Sequence, residues 1–350
     1  MTSTLDEITL GRLRELKAEA LEMDEIKDLI AARDGVLARY SPEFQPAVIQ
    51  DLDEDVLRSF LYFDNNKHWT GLNRQVNRVC ENMAATRAAL AALVDESRPL
   101  AERMDPATQI KGMGKGIITA ILHVAYPNRY GVWNTTSDGA LVELGLMPQF
   151  ERGTRFGERY AAINQVLLEV AEAIETDLWT LDALWWALTA EEEGIQPDRQ
   201  AASSTVKQSI CGPSRSFALE KTLQDFLFDR WEELPLAKDW ALYTRPGEPD
   251  AGYEFAMPVG RIDLLAKHRT EPRWLVIELK RHATSDHTVG QILRYMGWIQ
   301  NHQVESGETV QGLIIASAGD ERLHYAVAAI PNVDFMTYEV DFRLNPGPSI

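Results

Sequence analysis

Cysteine is scarce in this chain. Only Cys80 and Cys211 occur in 350 residues, far apart and in no CxxC or metal-ligand cluster, which excludes a disulfide scaffold and predicts reduced thiols in a cytoplasmic protein. Long apolar runs are missing too. The longest, Gly116–Tyr126, contains His123 and falls well short of the ~20 residues that span a bilayer. Met1–Glu7 has no basic segment followed by an apolar one, so neither secretion nor membrane insertion is expected. The seven histidines form no HxH, HExxH or Cys/His pattern, and zinc is not expected. Basic charge is the third shortage: 35 Lys+Arg against 53 Asp+Glu gives a net charge of −18. That excludes a protein that coats nucleic acid nonspecifically. The deficit is uneven, with 20 basic and 33 acidic side chains in residues 1–200 against 15 and 20 in residues 201–350.

What is present is ordinary for a globular protein: 45% hydrophobic and 25% charged residues, in a chain long enough for two domains. The first half reads as helical. Leu10, Leu13, Leu16 and Ala20 recur at helical spacing, as do Val56, Phe60 and Leu61. A long helix is expected from Leu72 to Val94, and Leu181, Leu184, Trp185 and Leu188 mark a further apolar face. The polar, small-residue stretch Gln196–Arg215 has no apolar period and reads as the domain boundary. The expected organisation is a helical domain over residues 1–200, a linker over 201–214 and a second domain over 215–345. There a helix is expected over Ser216–Trp231, with Phe217, Leu219, Leu223, Phe226 and Leu227 inward. Strand-like runs follow at Arg261–Ala266, Trp274–Leu279, Gly312–Ser317 and Val333–Tyr338, with a helix over Val289–His302. The fold class is therefore α+β: a mainly α-helical domain, then an α/β domain with a mixed sheet.

Chemistry concentrates in Gly260-Arg261-Ile262-Asp263 and Val276-Ile277-Glu278-Leu279-Lys280. Side chains alternate along a strand, so Glu278 and Lys280 share one face. An otherwise apolar strand has no structural need for a carboxylate and an ammonium, whose burial costs several kcal/mol unless compensated. A neighbouring strand that delivers Asp263 to the same place completes a Mg²⁺ site, with the Leu279 carbonyl as a further oxygen donor. Two carboxylates would fix the metal and Lys280 would position or activate the attacking water. For Glu-x-Lys alone, a surface ion pair is the plainer reading; Asp263 at hairpin distance shifts the balance.

These residues resemble the core of the PD-(D/E)xK nucleases, a restriction-endonuclease-like fold. Glu220 falls where such folds carry a helix glutamate near the metals, and Gln291-Ile292-Leu293-Arg294-Tyr295 is similar to the QxxxY helix motif of RecB-like members. Gln291 and Tyr295 share one helix face. With Arg294-Tyr295-Met296-Gly297-Trp298 and Gly312-Leu313-Ile314-Ile315-Ala316, residues 215–342 look most like the catalytic domain of the NucS/EndoMS mismatch endonucleases. The resemblance implies Mg²⁺ as cofactor, with Mn²⁺ able to substitute, double-stranded DNA as substrate, and dimerisation by analogy. The tail Arg343–Ile350 lacks an aromatic pair, so sliding-clamp binding is not expected. Trp298 reads as core.

In the first half, Ile110-Lys111-Gly112-Met113-Gly114-Lys115-Gly116, near residues 108–125, resembles a helix-hairpin-helix element. Such a turn offers backbone N–H groups to a DNA phosphate, and Lys111, Lys115 and Arg129 would add charge beside Gly112 and Gly114. An ordinary glycine turn before a core helix is the alternative. The surrounding residues 100–150 look like helix-hairpin-helix DNA glycosylases, but that family's lyase lysine falls on Gly116 and its catalytic aspartate on Asn134. Neither replacement supplies the chemistry, so this half is expected to hold DNA, not to excise a base. The Asn65–Gly71 turn and the Trp179, Trp185, Trp186 group are weaker candidates for DNA contact, and His282 and His287 for lining the cleft. The expected function is a Mg²⁺-dependent endonuclease acting on mismatched, damaged or modified duplex DNA in repair or defence. The alternatives are a glycosylase with an accessory domain and a catalytically silent nucleic-acid binding module.

Overall fold

The computed structural model describes residues 5–151, 153–192, 223–245, 247–280 and 287–339. Two compact units emerge: Met1–Ala201 with Thr244–Ala251, and Ala202–Tyr243 with Gly252–Ile350. The architecture is mixed α and β, with the helices concentrated in the first unit. No described helix is long and apolar enough to cross a membrane.

The first unit is built from α1 (Glu7–Ala20), α2 (Asp24–Tyr40), α3 (Glu54–Leu61), α4 (Phe63–Asn66), α5 (Val76–Val79), α6 (Met83–Val94), α7 (Leu100–Thr108), α8 (Lys115–Ala125), α9 (Thr135–Glu143), α10 (Phe156–Ala173) and α11 (Leu178–Glu192). Their starts follow side-chain chemistry. Asp6 caps α1 through Thr9 N–H, and Asn134 and Ser137 form a reciprocal capping box on α9. The continuous helix expected from Leu72 to Val94 is broken. Residues 80–82 are a turn, where the Asn82 side chain accepts from Ala85 N–H to start α6 and Thr86 Oγ1 donates to the Val79 carbonyl at 2.7 Å. Both interactions satisfy helix-end groups that an uninterrupted helix would have satisfied itself.

α8 is the buried centre of this unit. His123, fully buried on it, has Nδ1 2.7 Å from the Tyr130 carbonyl, so Nδ1 carries the proton and donates. Burial outweighs that bond and lowers its pKa to about 4. A depressed histidine pKa stabilises the fold fully above the ordinary 6.5 and loses that contribution as pH falls toward 4, because the unfolded chain takes up the proton first. We expect chemical denaturation at pH 5 to show about 2 kcal/mol less stability than at pH 7 from this group. His123→Gln should remove that difference; an unchanged pH dependence in the variant would refute it.

The Asn65–Gly71 turn is a core feature. Asn66 is fully buried, donating to the Phe60 and Trp69 carbonyls and accepting from His68 and Trp69 N–H. Trp179 and Trp185 are buried in the same core, while Trp186 is 44% exposed.

The second unit opens, among the described residues, on α12 (223–229). Here the apolar pattern misleads. Phe226, expected inward, is 56% exposed, and Gln224 is the side chain that α12 buries. The strands are β1 (Trp240–Leu242), β2 (Tyr253–Met257), β3 (Gly260–His268), β4 (Arg273–Lys280), β5 (Thr309–Ala316) and β6 (Val333–Thr337), with α13 (His287–His302) and α14 (Glu321–Ala328) between the later ones. The sheet order is β1-β3-β4-β5-β6, with β2 also on β3. β3 and β4 are antiparallel, whereas β4, β5 and β6 run parallel. A parallel β4–β5 pair needs a crossover, and α13 provides it, packing Ile292, Tyr295, Met296 and Ile299 onto one sheet face. The opposite face carries a separate apolar cluster around Trp231, Leu264, Ile277 and Leu279.

Candidate active site

β4 alternates strictly. Trp274 and Val276 enter the cluster on the α13 side, while Leu275, Ile277 and Leu279 enter the opposite one. The next position on the α13 side is Glu278, only 2% exposed at the end of an apolar strand. Its Oε1 accepts from Lys280 Nζ at 2.6 Å and from Gln291 Nε2 at 2.7 Å. Gln291 Nε2 also donates to the Tyr295 hydroxyl at 3.2 Å, so the i, i+4 pair on α13 reaches the carboxylate as one unit. Charge-assisted bonds to an ammonium and an amide are what make a buried carboxylate tolerable.

Asp263 arrives from β3. The pairing of Leu264 with Ile277 places it across from Glu278, and its Oδ2 accepts from Leu279 N–H at 2.7 Å. Alternation breaks here. Ile262 and Leu265 belong to the α13-side cluster and Leu264 to the other. On β2 the same switch separates Tyr253 from Phe255, and between them Glu254 takes a left-handed φ of 47°. A non-glycine residue pays for that conformation, and such strain collects where a strand must aim a functional side chain. Behind Asp263, the buried Gln224 donates from Nε2 to the Asp263 carbonyl at 2.9 Å. Gln224, beside Asp263, and the φ of Glu254 are two features of this region that sequence reasoning missed. A lone polar residue on an apolar helix face was the only sign of the first; the second has none, because nothing in the sequence encodes its φ.

Tyr295 depends on a glycine. Gly260 begins β3 at φ 126°, and a Cβ there would stand 2.7 Å from the Tyr295 hydroxyl. Gly260→Ala therefore strains the backbone and displaces Tyr295, which loosens Gln291 and then Glu278. We expect a stability loss of about 1–3 kcal/mol and a fall in duplex cleavage of about tenfold or more. Full activity at a temperature where the variant is folded would show that Tyr295 does not support the carboxylate.

Asp263, Glu278 and the Leu279 carbonyl make a hard-oxygen donor set of the kind Mg²⁺ takes, one or two carboxylates with water completing the shell. Among the described residues there is no group of three or more His, Cys, Asp or Glu placed to hold a metal ion. Glu220 and His282 lie outside the described residues, and His287 is exposed at the start of α13. Trp298 is partly buried against the α13-side cluster, stacked on His302.

The residues of the glycine turn are dispersed in accessibility. Gly112 has φ 83° and Gly114 is the N-cap residue of α8. Lys111 is 72% exposed, 3.7 Å from Glu81. Arg129 is 60% exposed and bonds Glu96 at 2.6 Å. Lys115 is different: it is buried, paired with Asp138 and 3.5 Å from Glu248.

Residues 249–325 match the family model described as the endonuclease NucS C-terminal domain. This part of the chain is NucS-like. Among solved structures, a complex of EndoMS with double-stranded DNA is 18% identical, over 41% of this chain and 51% of its own, with a TM-score of 0.28. A repair endonuclease from Pyrococcus abyssi is 19% identical over 39% and 50%, with a TM-score of 0.27. The chain thus spans about half the length of these two structures. No curated protein matches it. The NucS-like region contains Asp263, Glu278, Lys280, Gln291 and Tyr295, but not α12 with Gln224.

Proposed function

We propose that the chain is a metal-dependent endonuclease hydrolysing phosphodiester bonds in duplex DNA, at mismatched, damaged or modified sites, in repair or defence. One arrangement carries it: Asp263 and Glu278 side by side on β3 and β4, with Lys280 and Gln291 on the Glu278 carboxylate, inside a NucS-like region. Asp263, Glu278 and the Leu279 carbonyl would hold Mg²⁺ or Mn²⁺. When bound, that ion polarises the scissile phosphate and lowers the pKa of a coordinated water. Lys280 orients the attacking water and offsets charge developing on the phosphate. Gln291 and Tyr295 keep Glu278 in place, and Gln224 fixes the backbone that carries Asp263.

The first unit fits a DNA-holding role better than base excision. A Cβ on Gly116 would lie 3.7 Å from Cβ of Asn134, so the two positions matching the glycosylase pair adjoin, yet neither carries its group. The Asn134 amide oxygen accepts from Ser137 N–H at 2.9 Å as a helix cap. Lys115, the nearest amine in sequence, is no nucleophile. Burial alone would depress it, but Asp138, Glu248 and Asp250 outweigh that and raise its pKa, whereas an amine must be neutral to attack.

Incubating the chain with plain, mismatched, deaminated and modified duplexes, with and without Mg²⁺ or Mn²⁺, tests this reading. Metal-dependent strand cleavage is expected, strongest on one altered duplex. Cleavage in chelator, or release of free base, would overturn it.

A further inference from the structure

The segment Thr244–Ala251 belongs to the first unit and places carboxylates at the start of α8. Within it Arg245 and Glu248 exchange backbone hydrogen bonds of 3.0 and 2.9 Å, and Gly247 has φ 79°. Glu248 is 1% exposed, ion-paired with Arg159 and 3.5 Å from Lys115 Nζ. Asp250 packs on the glycine turn itself, where a Cβ on Gly114 would stand 3.2 and 3.4 Å from its two carboxylate oxygens.

Asp250 thus lies against the start of α8, where the N–H groups of a helix start and the Lys115 ammonium favour an anion. Asp250 fills the seat poorly. Its Oδ1 is buried without a hydrogen-bond partner, and burial raises its pKa against the pull of Lys115. Around the turn, Lys115 and Arg159 face three carboxylates, Asp138, Glu248 and Asp250. With the segment in place the local field repels a phosphate; with Glu248 and Asp250 withdrawn it attracts one. A carboxylate with a buried, unmet oxygen is also less costly to release.

We propose that Thr244–Ala251 is an internal mimic of a nucleic-acid backbone: Asp250 and Glu248 occupy a phosphodiester site formed by Gly112–Lys115, and duplex DNA must displace them to bind there. This rests on the reading of the chain as a DNA-binding protein. One consequence is measurable. Exchanging an internal carboxylate for a phosphate releases no counterion at Lys115, so the wild-type chain should bind duplex with shallow salt dependence.

The test uses the full chain and a fluorescent duplex, without metal so that no cleavage occurs, and reads anisotropy across a salt series. Asp250→Asn removes the competing charge and should tighten binding about fivefold or more, with a slope steeper by about one counterion. Gly247→Ala changes no charge, but its Cβ would fall 2.6 Å from Phe156 Cβ, so it should lift the segment and tighten binding too. Asp24→Asn removes the same charge from a residue 96% exposed on α2 and should change affinity less than twofold. If the wild type binds duplex and folded Asp250→Asn and Gly247→Ala bind no better, this mimicry is overturned and the endonuclease reading stands. If no variant and not the wild type binds duplex at low salt, both fall together.

Discussion

Glu278→Gln is expected to lower duplex cleavage on the order of 10³-fold while leaving the chain folded and able to bind DNA. The substitution keeps the shape. An amide oxygen can still accept from Lys280 and Gln291, as Oε1 does now at 2.6 and 2.7 Å. What disappears is the negative charge that the proposed divalent ion would need and that sets the field around Lys280. Lys280 is 27% exposed, so its ammonium can turn to water when the carboxylate is gone, and the melting temperature should move by only a few degrees. Mn²⁺ titration by calorimetry should lose its heat in the same variant. Cleavage within tenfold of wild type, with Mn²⁺ binding intact, would remove Glu278 from the mechanism and the endonuclease assignment with it.

The parts of this site that were legible in the sequence were those written in chemical identity. Asp263, Glu278 and Lys280 stand out because an apolar strand has no use for them, and Gln291 and Tyr295 because four residues make one helical turn. The sheet that holds them was partly readable too: β3, β4 and β5 are strands of 9, 8 and 8 residues with apolar stretches, whereas β1 spans only Trp240–Leu242 and β2 only Tyr253–Met257. α12 shows the opposite failure. Periodicity turned Phe226 inward, but the buried place is taken by Gln224 because the Asp263 carbonyl needs a donor there, and a tertiary hydrogen bond leaves no trace in a hydropathy pattern. The turn at residues 80–82 was hidden likewise, since Asn82 reads as an ordinary helix-surface residue until its side chain is seen capping α6. Lys115 reads as a phosphate ligand by its place beside the glycines, and nothing in the sequence announces that two of the carboxylates around it lie more than a hundred residues away in the chain.

Gly157→Ala should be the most damaging single-methyl change in the first unit. Gly157 lies in the first turn of α10, where that helix crosses α7. A Cβ there would collide with the Ala101 carbonyl oxygen and come 2.7 Å from its Cα. The obstacle is backbone, so no side chain can swing aside, and the two helices must separate. Overpacking of this kind costs about 3 kcal/mol or more, which for a domain of this size lowers the melting temperature by roughly 6–12 °C. Alanine is the better helix former, so propensity alone predicts the reverse sign. Gly35→Ala isolates that effect: on α2 an added Cβ meets nothing within 4 Å, and a gain of about 0.5–1 kcal/mol is expected. Differential scanning calorimetry of the two variants beside wild type decides between packing and propensity. The crossing also bears on the proposed phosphate site, because α7 leads into the Gly112–Gly114 turn and α10 carries Arg159, the partner of Glu248. A Gly157→Ala chain that melts at the wild-type temperature would show that α7 and α10 do not meet at this distance, and the support for the turn would have to come from elsewhere.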